Sequence, residues 1–400
     1  MPELRNVTIK TFDEKRRPIK SHVRLIVGGD FRDSPEPSHW HVVPSSIGYL
    51  GLRYQLVIEA HDEGYHPFRL EECTTDKEII LRKISEESIG WAERFVLGDR
   101  GRRKCNAIKI GIIDGYPPSS PKGLRHIAIA KWSNAKGPGV VSPDIMAHGV
   151  NVVNLVSNFL ALGDGSDSDS ERPEVVVYPV HCRTINGMQF LPIDVIEAAL
   201  QAAVADGCDI INLSLGIEDD ATDLVHGELV PFSRELLLAK SNNVIIVAAT
   251  GNEVSEKVHL PANNDFVFGI GMLGLASEVT VGSAAERYMM EAERSIDFNR
   301  VADDPRFGRV FVAGAVGKGA DFVFPGCGVC LVDNAGRPVE VSGTSFAAPI
   351  ATAVLARVMS DMQLYVNGSM VRPSADEVWE RVRGLTVRLG EEPWFATIRY

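Results

Sequence analysis

The sequence predicts an α/β fold, a doubly wound and mostly parallel sheet with helices on both faces, preceded by a small all-β sandwich. Four nearly continuous apolar runs follow residue 107, at 108–113, 175–180, 209–215 and 244–249. Helical patterns at 193–204 and 232–240 separate them, and this alternation is typical of a parallel sheet covered on both faces. The first 84 residues, in contrast, lack helical periodicity.

The N-terminal unit, residues 1–84, is predicted to be a β-sandwich. Alternating residues mark four strands, at 6–11, 19–27, 54–60 and 78–84, and short strands between turns favour a small sandwich. The hairpin pattern of residues 46–60, followed by Glu63-Gly64-Tyr65, resembles the transthyretin-like, carboxypeptidase-regulatory type of sandwich. His61 and His66 flank its turn, where surface histidines are favoured over a metal pair.

Residues 85–104 are predicted to connect the two units. Helical spacing at 85–97 indicates a linking helix, and residues 98–104 form a polar, basic loop. Exposed loops of this kind are typical of domain boundaries and of sites of proteolytic nicking. The α/β domain is therefore expected to span residues 105–400.

Composition and charge limit the classes of partner. The 400-residue chain is 45% hydrophobic and 24% charged, which is ordinary for a soluble protein with a large core. Its formal net charge of -12 argues against nucleic acid as the main partner, because phosphate binding needs basic patches. No apolar run approaches the roughly 18 residues that a membrane span requires, and no signal-peptide core follows the first residues. Neither nucleic acid nor a membrane is an expected partner.

Cysteine usage favours a reducing compartment. Six cysteines are scattered over the chain and do not form a disulfide framework, so a cytoplasmic location is expected. Cys327 and Cys330 have the spacing of a redox or zinc motif, but no second Cys or His pair accompanies them in the sequence. A metal or redox role is therefore disfavoured.

A serine lies at a predicted junction of turn and helix. Small residues lead into Ser345, and an apolar run over 350–359 predicts a helix with Pro349 in its first turn. There the Ser345 hydroxyl and backbone N–H lie near the positive end of the helix dipole, which suits a nucleophile whose attack creates an oxyanion. Taken alone, the pattern favours a Gly-Thr-Ser helix cap over a nucleophile, and the rest of the chain reverses that preference.

Hydrolysis by a serine also needs a histidine base, a carboxylate to orient it and donors for the oxyanion. His148 is the first residue of an amphipathic run, and a histidine at the start of a helix can project into a cleft. Taken alone, a histidine packed in the protein interior is the simpler interpretation. Asp114, Gly216 and Asn252 each lie just past a predicted strand, where Asp-Gly is also a common turn. Active residues gather at the carboxyl ends of parallel strands, which brings these positions to one edge.

The order Asp114, His148, Asn252, Ser345, together with the residues around each, resembles the subtilase family. The similar motifs are IGIID at 110–114, HGV at 148–150, INLSLG at 211–216, VAATGNE at 247–253 and GTSFAAP at 343–349. Further similar segments lie at 260–262, 279–283 and 324–326. Five motifs in one order rarely coincide by chance, and the resemblance covers roughly residues 90–390.

The resemblance implies a subtilisin-like fold and serine endopeptidase activity. It implies that Ser345 attacks the carbonyl, that His148 acts as base and then acid, and that Asp114 orients His148. It implies that Asn252, with the Ser345 N–H, binds the oxyanion. The substrate-binding residues that it implies are Leu213, Ser214, Leu215, Gly216, Ala249 and Gly251.

An acidic loop at residues 163–171 carries carboxylates at alternate positions. Because many subtilases bind calcium, Asp164, Asp167 and Asp169 are a candidate calcium site, although a solvated loop is favoured. No other cofactor is expected. Residues 286–318 are predicted to be a charged surface insertion, and residues 374–389 a closing helix.

The sequence as a whole predicts an intracellular subtilisin-like serine endopeptidase that acts on polypeptides. The alternatives are a non-catalytic binding protein of the same fold and an ester or amide hydrolase that uses the same site. The complete set of catalytic groups argues against the first, and an edge at 214–216 for pairing with an extended peptide argues against the second. The N-terminal sandwich is expected to bind a regulatory or substrate protein, or to restrain the cleft until the loop at 98–104 is cut.

Overall fold

The computed structural model describes residues 6–27, 30–34, 37–44, 54–60, 64–71, 73, 75–98, 105, 108–117, 119–121, 124, 127–131, 143–160, 162, 173–181, 183–185, 188–190, 192–218, 230–295, 299–333, 336–366 and 369–399. The helices found in these ranges are α1 (Trp91–Leu97), α2 (Pro143–Phe159), α3 (Ile193–Ala205), α4 (Ser233–Ser241), α5 (Ala284–Arg294), α6 (Thr344–Met362) and α7 (Ala375–Arg383). Over the same ranges, no helix combines the length and the hydropathy needed to cross a bilayer.

The N-terminal strands form two small sheets. They are β1 (Asn6–Phe12), β2 (His22–Val27), β3 (Asp30–Asp33), β4 (Trp40–Pro44), β5 (Tyr54–Glu59), β6 (Phe68–Glu71) and β7 (Lys77–Ile80). One sheet has the order β4-β1-β7 and the other β3-β2-β5-β6. Ile9, Leu56, Ile58 and Leu81 are almost fully buried in one apolar cluster that both sheets share. The predicted all-β unit is therefore confirmed, while its transthyretin-like character stays a prediction.

The remaining strands run from β8 to β24. They are β8 (Lys109–Asp114), β9 (Ala128–Ile129), β10 (Glu174–Pro179), β11 (Arg183–Ile185), β12 (Met188–Phe190), β13 (Ile210–Leu213), β14 (Ile245–Ala249), β15 (Val267–Leu275), β16 (Val301–Asp304), β17 (Gly308–Ala313), β18 (Phe322–Pro325), β19 (Val329–Val332), β20 (Pro338–Val341), β21 (Leu364–Val366), β22 (Ser369–Val371), β23 (Thr386–Arg388) and β24 (Ala396–Ile398). A sheet with the order β16-β17-β15-β14-β13-β8-β10-β9 organises the domain, and β18 also pairs with β15.

This large sheet is parallel except for β17, which pairs antiparallel with both β15 and the edge strand β16. Successive side chains of a strand face opposite sides, so a strand covered on both sides must be apolar throughout. Ile245, Val247 and Ala249 accordingly join the cluster that contains α2 and α6, whereas Ile246 and Ala248 join the cluster that contains α3 and α4. The predicted doubly wound α/β fold is confirmed.

Three sequence-based predictions of elements are wrong in part. The linking helix begins only at Trp91, because Gly90 adopts a left-handed conformation (φ 91°) that interrupts the preceding turn. Residues 286–318 are not a surface insertion, because they complete α5 and form β16 and β17 of the main sheet. The closing helix ends at Arg383, and residues 386–388 form the short strand β23 instead.

Candidate active site

The predicted polar residues meet at the carboxyl edge of the parallel strands. Asp114 is the last residue of β8, Ser214 follows β13, and Asn252 lies shortly after β14. β13 pairs with both β8 and β14, so these three strand ends are neighbours. Helix α2 brings His148 to this edge, and the first turn of α6 brings Ser345.

Asp114 and His148 form a hydrogen bond. The distance from His148 Nδ1 to Asp114 Oδ1 is 3.0 Å, and the Gly115 N–H also donates to Oδ1 at 2.7 Å. The Asp114 side chain is 5% exposed and the His148 side chain 32% exposed, so a buried carboxylate holds a partly open imidazole. The second carboxylate oxygen of Asp114 is buried without a partner among the described residues.

The pKa of His148 is raised above its ordinary value. Burial acts to lower it, but the charge of Asp114 and the hydrogen bond to Asp114 together outweigh burial. The imidazolium form is therefore stabilised, as a base that must accept a proton during a reaction requires. The ring also lies against Phe346, with 5.2 Å between ring centroids.

Two glycines allow α2 to approach the end of β8. A Cβ on Gly149 would lie 1.6 Å from the carbonyl oxygen of Gly115, and a Cβ on Gly115 would lie 2.1 Å from Ile145. Helix α2 begins at Pro143, so the prediction that His148 opens a helix is wrong; it lies in the second turn. The close packing at Gly149 explains why a glycine follows His148.

The first turn of α6 carries Ser345. The helix begins at Thr344, so Ser345 is among the leading residues whose N–H groups have no acceptor within the helix. Pro349 therefore does not lie in the first turn, which corrects the sequence-based prediction. Its ring nitrogen leaves the Ser345 carbonyl without the usual i+4 donor.

The Ser214 hydroxyl takes the place of that missing donor. Ser214 Oγ donates to the Ser345 carbonyl at 2.7 Å. Asn212 Nδ2 donates to Ser214 Oγ at 2.9 Å, and the Thr352 hydroxyl donates to Asn212 Oδ1 at 3.1 Å. The three side chains are buried, so this polar chain connects β13 to the backbone of the nucleophile turn. Sequence analysis missed Asn212 and Thr352.

Asn252 is held beside the same turn by Thr344. Asn252 Oδ1 accepts from the Thr344 N–H at 2.8 Å and from the Thr344 hydroxyl at 3.1 Å. Because Oδ1 is engaged in this way, the Nδ2 group is the donor that Asn252 can offer elsewhere. Gly343 before the helix has φ and ψ of 155°, a conformation almost restricted to glycine, and a Cβ there would lie 3.3 Å from Asn252 Oδ1.

Four of the six predicted substrate-binding residues fall into two groups. Leu213 and Ala249 are buried in the apolar clusters, and both are paired in the sheet ladder, so their backbones are already engaged. Leu215 and Gly216 lie beyond the last ladder pair of β13, and no described strand pairs with them. Gly216 is exposed, which leaves this short segment accessible.

An imidazole that sequence analysis missed lies between Gly216 and Gly251. A Cβ on Gly216 would lie 2.9 Å from His259 Cβ, and a Cβ on Gly251 would lie 2.7 Å from its ring. His259 Nε2 lies 3.0 Å from Glu253 Oε2. One ligand atom from each of Glu218, Glu253 and His259 lies within 4.8 Å of the others, but Glu218 and Glu253 are exposed, as solvated acidic groups commonly are. The candidate calcium residues Asp164, Asp167 and Asp169 lie outside the described residues.

A model of the subtilase family, peptidase S8, matches residues 106–373, which is well over half of the chain. The chain belongs to the subtilase family. It is a serine-type peptidase, a hydrolase that acts on peptide bonds, and this confirms the predicted enzyme class. The match begins after the N-terminal sheets, and the boundaries at residues 84 and 104 stay predictions.

Known relatives of this subtilase include two curated proteins. Subtilisin DY of Bacillus licheniformis is 22% identical over 288 residues, which cover 72% of this chain and 86% of that protein. The subtilisin-like protease het-Q2 of Podospora anserina is 26% identical over 220 residues, which cover 54% of this chain and 50% of that protein.

Solved structures with a similar fold include a lanthipeptide protease, with 18% identity and a TM-score of 0.48 over 72% of this chain and 83% of that chain. The patellamide maturation protease PatA has 19% identity and a TM-score of 0.48 over 72% of this chain and 90% of that chain.

Proposed function

We propose that this subtilase is an endopeptidase that cleaves polypeptides through an acyl-enzyme on Ser345, with Asp114 and His148 completing the triad and Asn252 serving the oxyanion. The observation that carries the proposal is the 3.0 Å hydrogen bond between His148 Nδ1 and Asp114 Oδ1. That bond assigns the proton of neutral His148 to Nδ1, so Nε2 is the basic atom that can take the serine proton.

In the proposed reaction, Ser345 Oγ bonds to the substrate carbonyl carbon while its proton passes to His148 Nε2. The C–N bond then breaks, and His148 gives the proton to the leaving amine. Water attacks the resulting ester with His148 again as base, and the acid product leaves with Ser345 restored. Asn252 Nδ2 and the Ser345 N–H donate to the oxyanion in both tetrahedral intermediates.

The unpaired segment Leu215–Gly216 supports a polypeptide substrate. An extended peptide can pair with this segment as an added strand, which holds the scissile bond beside the helix that carries Ser345. A cavity of about 780 Å³ is lined by Asn252 together with Glu253, Tyr288 and Arg294. We assign this cavity to substrate residues that extend away from the cleaved bond.

We propose that the protein acts in a reducing cytoplasm. The proposed acyl transfer needs no cofactor. The observation that supports this compartment is that the five described cysteines are free thiols. We propose that the N-terminal β unit binds a regulatory or substrate protein, or restrains the cleft; the basic loop of the restraint hypothesis, except Gly98, lies outside the described residues. Calcium binding by residues 163–171 stays a proposal on the sequence pattern.

A fluorophosphonate probe tests the proposed nucleophile. The intact chain should be labelled, and Ser345→Ala and His148→Ala should each abolish labelling. Ser241→Ala and His39→Ala, which change exposed residues of the same types far along the chain, should be labelled like the unchanged protein. Labelling that survives Ser345→Ala would contradict the assignment. If neither the intact chain nor a chain that lacks residues 1–84 is labelled, the proposed triad chemistry is contradicted.

A further inference from the structure

A cluster of metal-ligating side chains lies where the N-terminal unit meets the protease domain. His66, Cys330 and Glu340 each offer one ligand atom, and these atoms all lie within 4.8 Å of one another. The three residues are 4%, 6% and 8% exposed. The prediction that His66 is a surface histidine is therefore wrong, because the protease domain covers it.

The register of one hairpin brings two of the three residues together. β19 and β20 are antiparallel, and Cys330 stands directly opposite Glu340. Directly opposed residues of an antiparallel pair project from the same face, with Cβ atoms about 4.5–5.5 Å apart. The hairpin therefore presents a thiol and a carboxylate side by side, whatever packs against it.

His66 completes the cluster from the N-terminal unit. Its N–H donates to the Arg82 carbonyl at 2.8 Å, which fixes the residue beside the last strand of that unit. Its Nδ1 forms a hydrogen bond with Glu340 Oε2. Close packing accompanies this contact, since a Cβ on the neighbouring Gly64 would lie 2.6 Å from Pro338 of β20.

The hydrogen bond from His66 does not satisfy the whole carboxylate of Glu340. Glu340 Oε1 is buried and has no hydrogen-bond partner among the described residues, although the side chain is only 2% exposed. A buried oxygen left in this state typically costs about 1–3 kcal/mol, and more when the group is charged. The unpartnered oxygen lies on the residue that stands opposite the Cys330 thiol.

We propose that His66, Cys330 and Glu340 bind a zinc ion that fastens the N-terminal β unit to the β19–β20 hairpin. One nitrogen, one sulfur and one oxygen ligand form a borderline-soft set that suits Zn²⁺ better than Ca²⁺ or Mg²⁺. Zinc–ligand bonds of about 2.0–2.3 Å place ligand atoms roughly 3.5 Å apart, and all three ligand atoms of the cluster lie within 4.8 Å of one another.

Charge also favours this ligand set. A thiolate and a carboxylate with a neutral imidazole neutralise a divalent cation, so the buried site carries no net charge. On binding, the Cys330 thiol releases its proton to solvent. The proposal does not depend on the catalytic assignment, because none of the three residues belongs to the proposed triad or oxyanion site.

The test uses the full chain with Ser345→Ala, which removes self-digestion. The protein is stripped with a chelator, reconstituted with Zn²⁺ or Co²⁺, and freed of excess metal by gel filtration. We expect about one zinc per chain by elemental analysis, a cobalt–thiolate charge-transfer absorbance, and a melting temperature that falls when the metal is removed again. Cys330→Ser should reduce bound zinc at least tenfold and abolish the absorbance band. Cys105→Ser, which changes another buried thiol, should leave both unchanged.

A reconstituted parent chain that holds less than about a tenth of an equivalent of zinc would overturn the proposal. A cobalt–thiolate band that persists in Cys330→Ser would equally overturn it, because the sulfur ligand would then be another cysteine. Where Cys330→Ser does not fold, His66→Gln in the same background decides. It keeps every cysteine, and unchanged bound zinc in that variant would overturn the proposal.

Discussion

The hydrogen bond from Ser214 to the Ser345 carbonyl gives a prediction that two substitutions together can test. Ser214→Ala removes the donor at 2.7 Å from that carbonyl and the acceptor at 2.9 Å from Asn212 Nδ2. Each unsatisfied buried group costs about 1–3 kcal/mol. Because the carbonyl lies at a partly buried site, we expect a loss of about 2 kcal/mol in the free energy of unfolding.

Pro349→Ala supplies the missing backbone N–H at the i+4 position of the helix. In a chain that carries Pro349→Ala, the Ser345 carbonyl has a helical partner, and Ser214→Ala should cost about 1 kcal/mol less than in the chain with Pro349. The single effect of removing a proline cancels in the double-mutant cycle, so only the coupling between the two positions remains.

The assay compares denaturant midpoints of the four proteins in an inactive His148→Ala background. Ser241→Ala combined with Pro349→Ala is the matched control. Its effects should add because, among the described residues, the Ser241 hydroxyl forms hydrogen bonds only with Leu238 and Asn242, in α4 and at its end. Effects of Ser214→Ala and Pro349→Ala that add to within about 0.3–0.5 kcal/mol would refute the inference that Ser214 replaces the helical donor.

Four further predictions concern the site and one buried carboxyl. Gly149→Ala should lower kcat/KM at least about 100-fold and lower the melting temperature, because a Cβ 1.6 Å from the Gly115 oxygen must retreat by about 1.8 Å to reach ordinary contact. The rise of kcat/KM with pH should have its midpoint above 6.5, because the pKa of His148 is raised and only neutral His148 accepts a proton. Asn252→Ala should lower kcat about 100- to 1000-fold with little change in KM. Asp321→Asn should raise the free energy of unfolding by about 1–3 kcal/mol at pH 7–8, because burial raises the pKa of Asp321 to about 6 and its ionised form is penalised.

For each of these four predictions, a specific result would contradict the reasoning. Gly384→Ala, at a helix end with φ -70°, is the matched glycine change and should be nearly neutral; equal behaviour of Gly149→Ala would contradict the packing argument. Asp114→Asn should move the pH midpoint down, and an unchanged midpoint would assign it to another group. An Asn252→Ala enzyme that keeps its full kcat would remove Asn252 from the oxyanion site. Wild-type stability should fall as pH rises from about 4 to about 6, and an Asp321→Asn variant that keeps this slope would exclude Asp321 as its source.

The sequence was sufficient to place much of the candidate site. Parallel strands deliver their carboxyl ends to one edge, so the positions of Asp114 and Asn252 followed from the alternation of strands and helices alone. Both faces of the sheet are covered, and the strands Ile210–Leu213 and Ile245–Ala249 are buried throughout for that reason. The physical constraint is strong because an exposed parallel strand would leave apolar residues in water.

Features that depend on distant packing were not predictable in this way. His259 reaches Gly216 and Gly251 through an irregular segment that has no periodicity. His66 is buried by Glu340, which lies 274 residues away in the sequence, and no local pattern encodes that contact. The charged residues at 303–309 obscured the edge strands, although residues 310–313 are almost completely buried.

The start of α6 was misplaced for a related reason. Gly343, Thr344 and Ser345 are small residues that also occur in turns, so the helix was expected to begin nearer Pro349. In the structure, Asn252 accepts the Thr344 N–H and Ser214 donates to the Ser345 carbonyl. These tertiary partners satisfy groups that sequence propensity treats as unpaired, which allows the helix to begin one turn earlier.

The β19–β20 hairpin affects how two distant parts of the chain, the N-terminal unit and the turn that carries Ser345, can change by substitution. It leaves the sheet after β18 and returns at Gly343, whose N–H donates to the Gly326 carbonyl at 2.7 Å, while Ser342 Oγ accepts the Gly328 N–H at 2.9 Å. The base is thus closed, and Val329, Leu331, Val339 and Val341 of the hairpin are buried in the same apolar cluster as α6. The hairpin contacts the N-terminal unit through Pro338 and Glu340 and the core around α6 through its valines. Substitutions in the hairpin therefore act on both parts, and we expect the N-terminal unit and the catalytic edge to change together.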